Sequence, residues 1–274
     1  MNTVRAVDNT DWLKAVAIIL VLIDHTGYFF IDNADWWSAL GRMAAPPFFF
    51  LLGYAESRTV PMRWFWFGVI LTLLDSANTD WIWVASNILL SLALIRLARP
   101  RVKVFLQRYG WVAIVLTIGA FLALMPLAGD AVEYGAEGWL WALLGLCQRM
   151  YVDGKQQGSE SSARVATLAL DSDPIYQGNE GLMRLAVCLV AAVVYVWQEQ
   201  LEFSFPQVQF TAVIVGVAVM SVGMCLFRRG PSLIQPREPL AAVLRFVGRH
   251  TLEIYAIQLA GYEVIIMLLP DLAA

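Results

Sequence analysis

The chain has 274 residues, of which 59% are hydrophobic and 15% charged, with a mean hydropathy of +0.63. A soluble domain carries about 25% charged residues, so an integral membrane protein is expected. The formal net charge of −3 says little by itself, because the placement of charge matters more than its sum; no nucleic-acid partner is expected.

In chain order, apolar runs of spanning length occur near 12–31, 41–57, 62–79, 81–97, 109–128, 136–152, 182–199, 208–227 and 251–269. Several are short for a bilayer that needs about 20 residues per helix, so flanking Trp, Arg and Lys must fill the difference. The expected fold class is all-α, a polytopic integral membrane protein of about nine transmembrane helices, with eight to ten allowed. Trp36, Trp37, Trp64, Trp66, Trp81, Trp83, Trp111 and Trp139 sit near helix ends, as an aromatic belt would. Asp24 and His25 interrupt any cleavable leader, so the first segment is expected to stay as a helix. Cys147, Cys188 and Cys225 lie in apolar stretches; their number and spacing suit neither a disulfide framework nor a metal site.

Every basic residue except Arg42 falls at the N-terminus or on alternate connections, and the other connections are acidic. By the positive-inside rule the N-terminus is cytoplasmic and Arg42 lies on the outer side. Residues 153–181 are polar and rich in Gly and Ser, which predicts a cytoplasmic loop within a single domain spanning 1–274. Residues 238–250 place Leu240, Val243, Leu244 and Val247 on one face, which predicts a short helix on the inner surface.

The first segment, "DWLKAVAIILVLIDHTGYFF", carries ionisable groups where hydrocarbon disfavours them. Eleven residues of α-helix turn through about 1,100°, so Lys14 and His25 share a face about 16 Å apart along the axis. Ile18, Val21 and Leu22 form the apolar stripe between them. Each residue alone also has a structural explanation: Lys14 as a snorkelling anchor, His25 as a bonded core histidine, Asp24 as a buried counter-charge. Adjacent side chains point about 100° apart, so Asp24 does not orient His25. It needs a partner on another helix, and Arg42 is the basic residue available there. Asn87 in the fourth segment, which can also serve as a hydrogen bond between helices, and Glu133, Tyr134 and Glu137 at the outer mouth are further polar candidates for substrate binding. His250 and Glu253 begin the last segment.

These residues carry a resemblance. "DWLKAVAIILVLIDH" resembles the opening of the TraX family, and "LGRMAAPPFFFLLGY" is similar to its Gly-Arg-x-Ala-x-Pro-x-Phe segment through Gly41, Arg42, Ala44, Pro46 and Phe48. "NILLSLALIRL", "EYGAEGWLWALLG" and "GRHTLEIYAIQL" also resemble it, although Gln258 stands where endings of this kind carry a histidine. The spacing from Lys14 to His25 is similar to the basic-x10-His motif of the larger transmembrane acyltransferase superfamily. TraX proteins acetylate the pilin N-terminus. The resemblance therefore implies a multi-pass acetyltransferase of the bacterial inner membrane that moves acetyl from cytoplasmic acetyl-CoA to a protein or saccharide acceptor, with no metal and with an oligomer left open. His25 would be the catalytic base, Asp24 and Arg42 its catalytic supports, and Lys14, with Arg96, Arg99 and Arg101, would hold the CoA phosphates. The competing readings are a transporter or proton-coupled carrier using Asp24, His25 and Arg42, and a non-catalytic assembly factor for a surface appendage.

Overall fold

A computed structural model describes residues 5–57, 59–78, 88–128, 134–164, 179–269 and 271. Among these the secondary structure is helical, apart from one isolated bridge between Asp8 and Pro231. The helices are α1 (Asn9–Phe30), α2 (Asp35–Gly41), α3 (Ala45–Tyr54), α4 (Met62–Asn78), α5 (Ile88–Tyr109), α6 (Trp111–Ala128), α7 (Gly135–Arg164), α8 (Glu180–Phe203), α9 (Gln207–Leu226) and α10 (Leu240–Leu268). Of the described helices α1, α8, α9 and α10 are long and apolar enough to cross a membrane.

The faces of these helices identify their solvent. Leu185, Leu189, Val193, Trp197 and Leu201 recur every four residues along α8 and are exposed, as are Val208, Val215, Val219, Val222 and Leu226 on α9. Contiguous apolar stripes of this kind would be costly in water and are what a helix presents to hydrocarbon. The protein is a helical membrane protein.

Four expected boundaries are corrected. The span expected over 41–57 is two pieces: α2 has 7 residues and α3 has 10, so neither crosses a bilayer alone. Pro46 and Pro47 supply no N–H to a preceding turn, so they belong in the first turn of a new helix and the older one ends before them. Next, α5 continues through Pro100 to Tyr109, taking in the arginines expected on a connection. Likewise α7 runs on to Arg164, into the stretch expected as a polar loop from 153. Finally, the surface helix expected over 238–250 is continuous with the last span, broken only at His250 (φ −108°, ψ 22°). Trp139, expected in the belt, turns inward and donates from Nε1 to Ser91 Oγ at 2.9 Å. Trp81 and Trp83 lie outside the described residues.

Two features place the site. Glycines let α3 and α7 approach backbone to backbone: a Cβ at Gly53 would stand 1.8 Å from the Ala142 carbonyl oxygen, and one at Gly145 2.0 Å from that of Phe50. The start of α1 is fixed by a capping box, in which Asp8 accepts from the Asp11 N–H at 2.8 Å and Asp11 accepts from the Asp8 N–H at 3.0 Å. Arg5 closes it with ion pairs of 2.7 Å to both carboxylates. Asp11 in turn lies against Gly248, where a Cβ would come within 2.4 Å of its Oδ1. Thus α1 and α10 cross closely, with Lys14 one turn beyond the contact.

Candidate functional site

A cavity of about 360 Å³ lies between α1, α3, α4, α5 and α10, within the range of about 300–1,000 Å³ usual for ligand pockets. Lys14 and His25 both line it, three turns apart on one face of α1. Around Lys14 the lining is cationic, with Arg63, Arg96 and Arg249 from three other elements. Around His25 it holds Asp24 and Tyr134, and between the two ends the wall is apolar, from Val21, Phe48, Leu52, Leu89 and Leu92. Of the expected stripe only Val21 faces the cavity. Ile18 is 2% exposed and packs behind the lining residues Val21 and Ala44.

Lys14 Nζ donates to the Gly248 carbonyl at 2.9 Å. The break at His250 frees carbonyls of the preceding turn, and a lysine at such an end both bonds a carbonyl and complements the helix dipole. Lys14 therefore holds α1 to α10 as well as contributing charge. Thr251 Oγ1 donates to the Val247 carbonyl at 2.7 Å, satisfying another. At the same end Arg63 pairs with Glu253, and the Arg96 guanidinium lies over the Trp64 ring at 4.8 Å.

At the other end, Nδ1 of His25 lies 3.1 Å from Oε1 of Gln258, and Tyr255 packs beside the imidazole at 5.7 Å between ring centroids. Asp24 points away from His25 and forms an ion pair with Arg42. Gly41 makes room for it, since a Cβ there would stand 2.2 Å from the Asp24 carboxylate. Arg42 itself does not line the cavity. It sits behind Asp24, with Glu199 at 3.7 Å on its other side and the face of Phe203 at 4.5 Å. Tyr195 donates to the Arg42 carbonyl at 2.6 Å, which fixes the turn between α2 and α3. Arg42 thus anchors Asp24 from behind the cavity wall.

The remaining candidates divide. Arg96 meets the cavity, but Arg99 Nε donates to the Gly53 carbonyl at 2.7 Å, and its side chain lines a separate apolar cavity of about 150 Å³ beside Phe121 and Trp139. Arg101 is exposed and lines neither. Glu137 is half-buried and off the cavity. Asn87 and Glu133 lie outside the described residues. The three cysteines are free and none lines the cavity. Among the described residues no group of His, Cys, Asp and Glu could hold a metal ion.

Sequence reasoning did not place Arg63, Trp64 or Arg249 at the site, because nothing in their spacing ties three separate segments to one mouth. Glu199 was readable: it is an acid ending an apolar run, 4% exposed in the fold. Gln258 had a signal too, as the polar residue in an otherwise apolar stretch of the last helix.

The family model described as TraX protein matches residues 9–172, from the first residue of α1 to beyond the end of α7. The match includes Lys14, Asp24, His25, Arg42, Arg63, Arg96 and Tyr134. No curated protein and no solved structure matches the chain.

Proposed function

The chain belongs to the TraX family, since the match covers more than half of its length, and from that premise we propose that it is a membrane acetyltransferase. It moves acetyl from acetyl-CoA to an amine or hydroxyl acceptor such as a pilin N-terminus or a surface saccharide. One observation supports this reading above the others: a single cavity is lined by His25, by four cations, Lys14, Arg63 (paired with Glu253), Arg96 and Arg249, and by apolar side chains. Such a cavity suits a donor with a polyanionic head, a thin uncharged arm and a reactive thioester at the tip. The cationic end binds the phosphates, each as a charge-assisted contact. His25, with Nδ1 committed to Gln258, uses Nε2 as the general base. It takes the proton of the acceptor as the acceptor's nitrogen or oxygen forms a bond to the thioester carbonyl carbon. The carbon–sulfur bond then breaks, and the proton passes from His25 to the departing thiolate. With no cysteine on the cavity, the acetyl group passes directly to the acceptor. In this reading the Arg-rich end faces the cytoplasm, where acetyl-CoA is found, and the acceptor approaches His25 from the outer side.

The test uses purified protein, acetyl-CoA and a peptide with a free α-amine. Acetyl transfer with release of CoA thiol is expected. His25→Ala should lower turnover by roughly 10²–10⁴ while acetyl-CoA still binds. Arg96→Ala should weaken acetyl-CoA binding by about 1–3 kcal/mol with turnover at saturation nearly kept. Normal turnover in His25→Ala, or no thioester cleavage with either amine or saccharide acceptors, would overturn the reading and favour a carrier.

A further inference from the structure

A neutral imidazole carries one N–H, and which nitrogen bears it decides whether His25 presents a lone pair or a proton to the cavity. The one side-chain hydrogen bond that His25 makes among the described residues is to Gln258, on the facing side of α10. The neighbours of His25 along α1 are committed elsewhere. The Asp24 carboxylate is held by Arg42. Thr26 Oγ1 donates to the Leu22 carbonyl at 2.6 Å and lies 2.9 Å from the Tyr262 hydroxyl, one turn further along. Tyr255 packs its ring beside the imidazole. Gln258 Nε2 is buried with no hydrogen-bond partner among the described residues, so the contact with His25 is what holds the amide.

We infer that Gln258 is the positioning residue of His25: its Oε1 accepts from Nδ1–H, locks the Nδ1-protonated tautomer, and leaves the Nε2 lone pair for the cavity. A carbonyl oxygen can only accept, so the nitrogen facing it must carry the proton. The same bond persists when Nε2 takes a second proton, since both ring nitrogens are then donors. Oε1 therefore suits the ring before and after proton transfer, whereas the amide nitrogen would suit neither a base nor its protonated form. In this chain a glutamine does what an orienting carboxylate does elsewhere, without adding a charge to the centre of the helix pair. The consequence for catalysis rests on the acetyltransferase reading; the tautomer itself does not.

The chain has two histidines, His25 and His250, so ¹⁵N-histidine labelling of the full-length protein gives a readable spectrum, with His250→Gln used to assign it. The ring nitrogens of a neutral imidazole resonate far apart according to which one bears the proton. At a pH where His25 is neutral, Nδ1 should be protonated and Nε2 bare in the native protein. Gln258→Leu should give a mixture of tautomers, and Gln258→Glu, which keeps an acceptor, should restore the native one. In acetyl transfer, Gln258→Leu should lower kcat on the order of 10- to 100-fold with the KM for acetyl-CoA unchanged, and Gln258→Glu should recover most of it. An Nε2-protonated His25 in the native protein overturns the inference, because Gln258 would then be donating. A Gln258→Leu spectrum identical to the native one overturns it as well. Since the native spectrum decides without any turnover, loss of the acetyltransferase reading would leave this result standing, and the reverse.

Discussion

Arg42 is where the charge of the interior is balanced. It lies between Asp24 and Glu199, with Phe203 against the guanidinium face, and the three charged side chains are withdrawn from solvent. Removing one partner of a buried pair leaves an uncompensated charge, at a cost of about 3–5 kcal/mol. Arg42→Ala should therefore lower folded yield sharply, because two carboxylates then face each other. Asp24→Asn should rescue part of that yield, and Asp24→Asn with Glu199→Gln should rescue more. Size-exclusion profiles of the detergent-extracted variants measure this; additive losses with no rescue would show that the three groups are not coupled. The Asp24–Arg42 pair was arguable from residues alone, since a buried aspartate needs a counter-charge and Arg42 was the cation out of place. Glu199 was readable as an acid ending an apolar run, but its place as the third member was not, because that depends on how α8 packs.

At the scale of elements, the short α2 and α3 show how a sequence pattern can mislead. Residues 41–57 are apolar enough to span, yet two prolines and Gly41 divide them, and the division is what turns Arg42 inward to Asp24. The same element depends on close contact with α7. Gly53→Ala would push a methyl group into the Ala142 carbonyl, which cannot move without shifting α7. Overpacking of this kind costs about 1–3 kcal/mol. Gly119→Ala, where a Cβ meets nothing within 4 Å, should instead be neutral or stabilising by up to about 1 kcal/mol. Thermal unfolding in one detergent compares them: Gly53→Ala should melt clearly below the parent and Gly119→Ala at or above it. Equal melting of the two would mean that α3 and α7 are not in backbone contact.

For the whole molecule, the partition of charge predicts orientation. In a background lacking Cys147, Cys188 and Cys225, the variants Asp32→Cys and Glu202→Cys should react with an impermeant maleimide added outside the cell. Arg101→Cys and Arg237→Cys should react only after permeabilisation. These four positions are exposed in the fold, so a failure to label reports sidedness rather than burial. The opposite pattern would put the Arg63–Arg96–Arg249 mouth outside and remove its access to cytoplasmic acetyl-CoA.

Composition and periodicity were enough to determine that the chain is helical and embedded in a membrane, because hydrocarbon admits few structures and requires apolar side chains along their whole length. The helical repeat alone put Lys14 and His25 on one face, since that relation is local to a single element. Which arginines share the cavity was decided only by tertiary structure: Arg96 and Arg99 are three residues apart on α5, yet one enters the cavity and the other bonds the Gly53 carbonyl beside a different one. The same holds for Gln258, whose sequence position lies 233 residues from His25 and whose place beside it follows from the crossing of α1 and α10 at Gly248. Contacts between distant segments depend on how faces pack, and packing is set by the shapes of all the neighbours together, not by the spacing of any one motif.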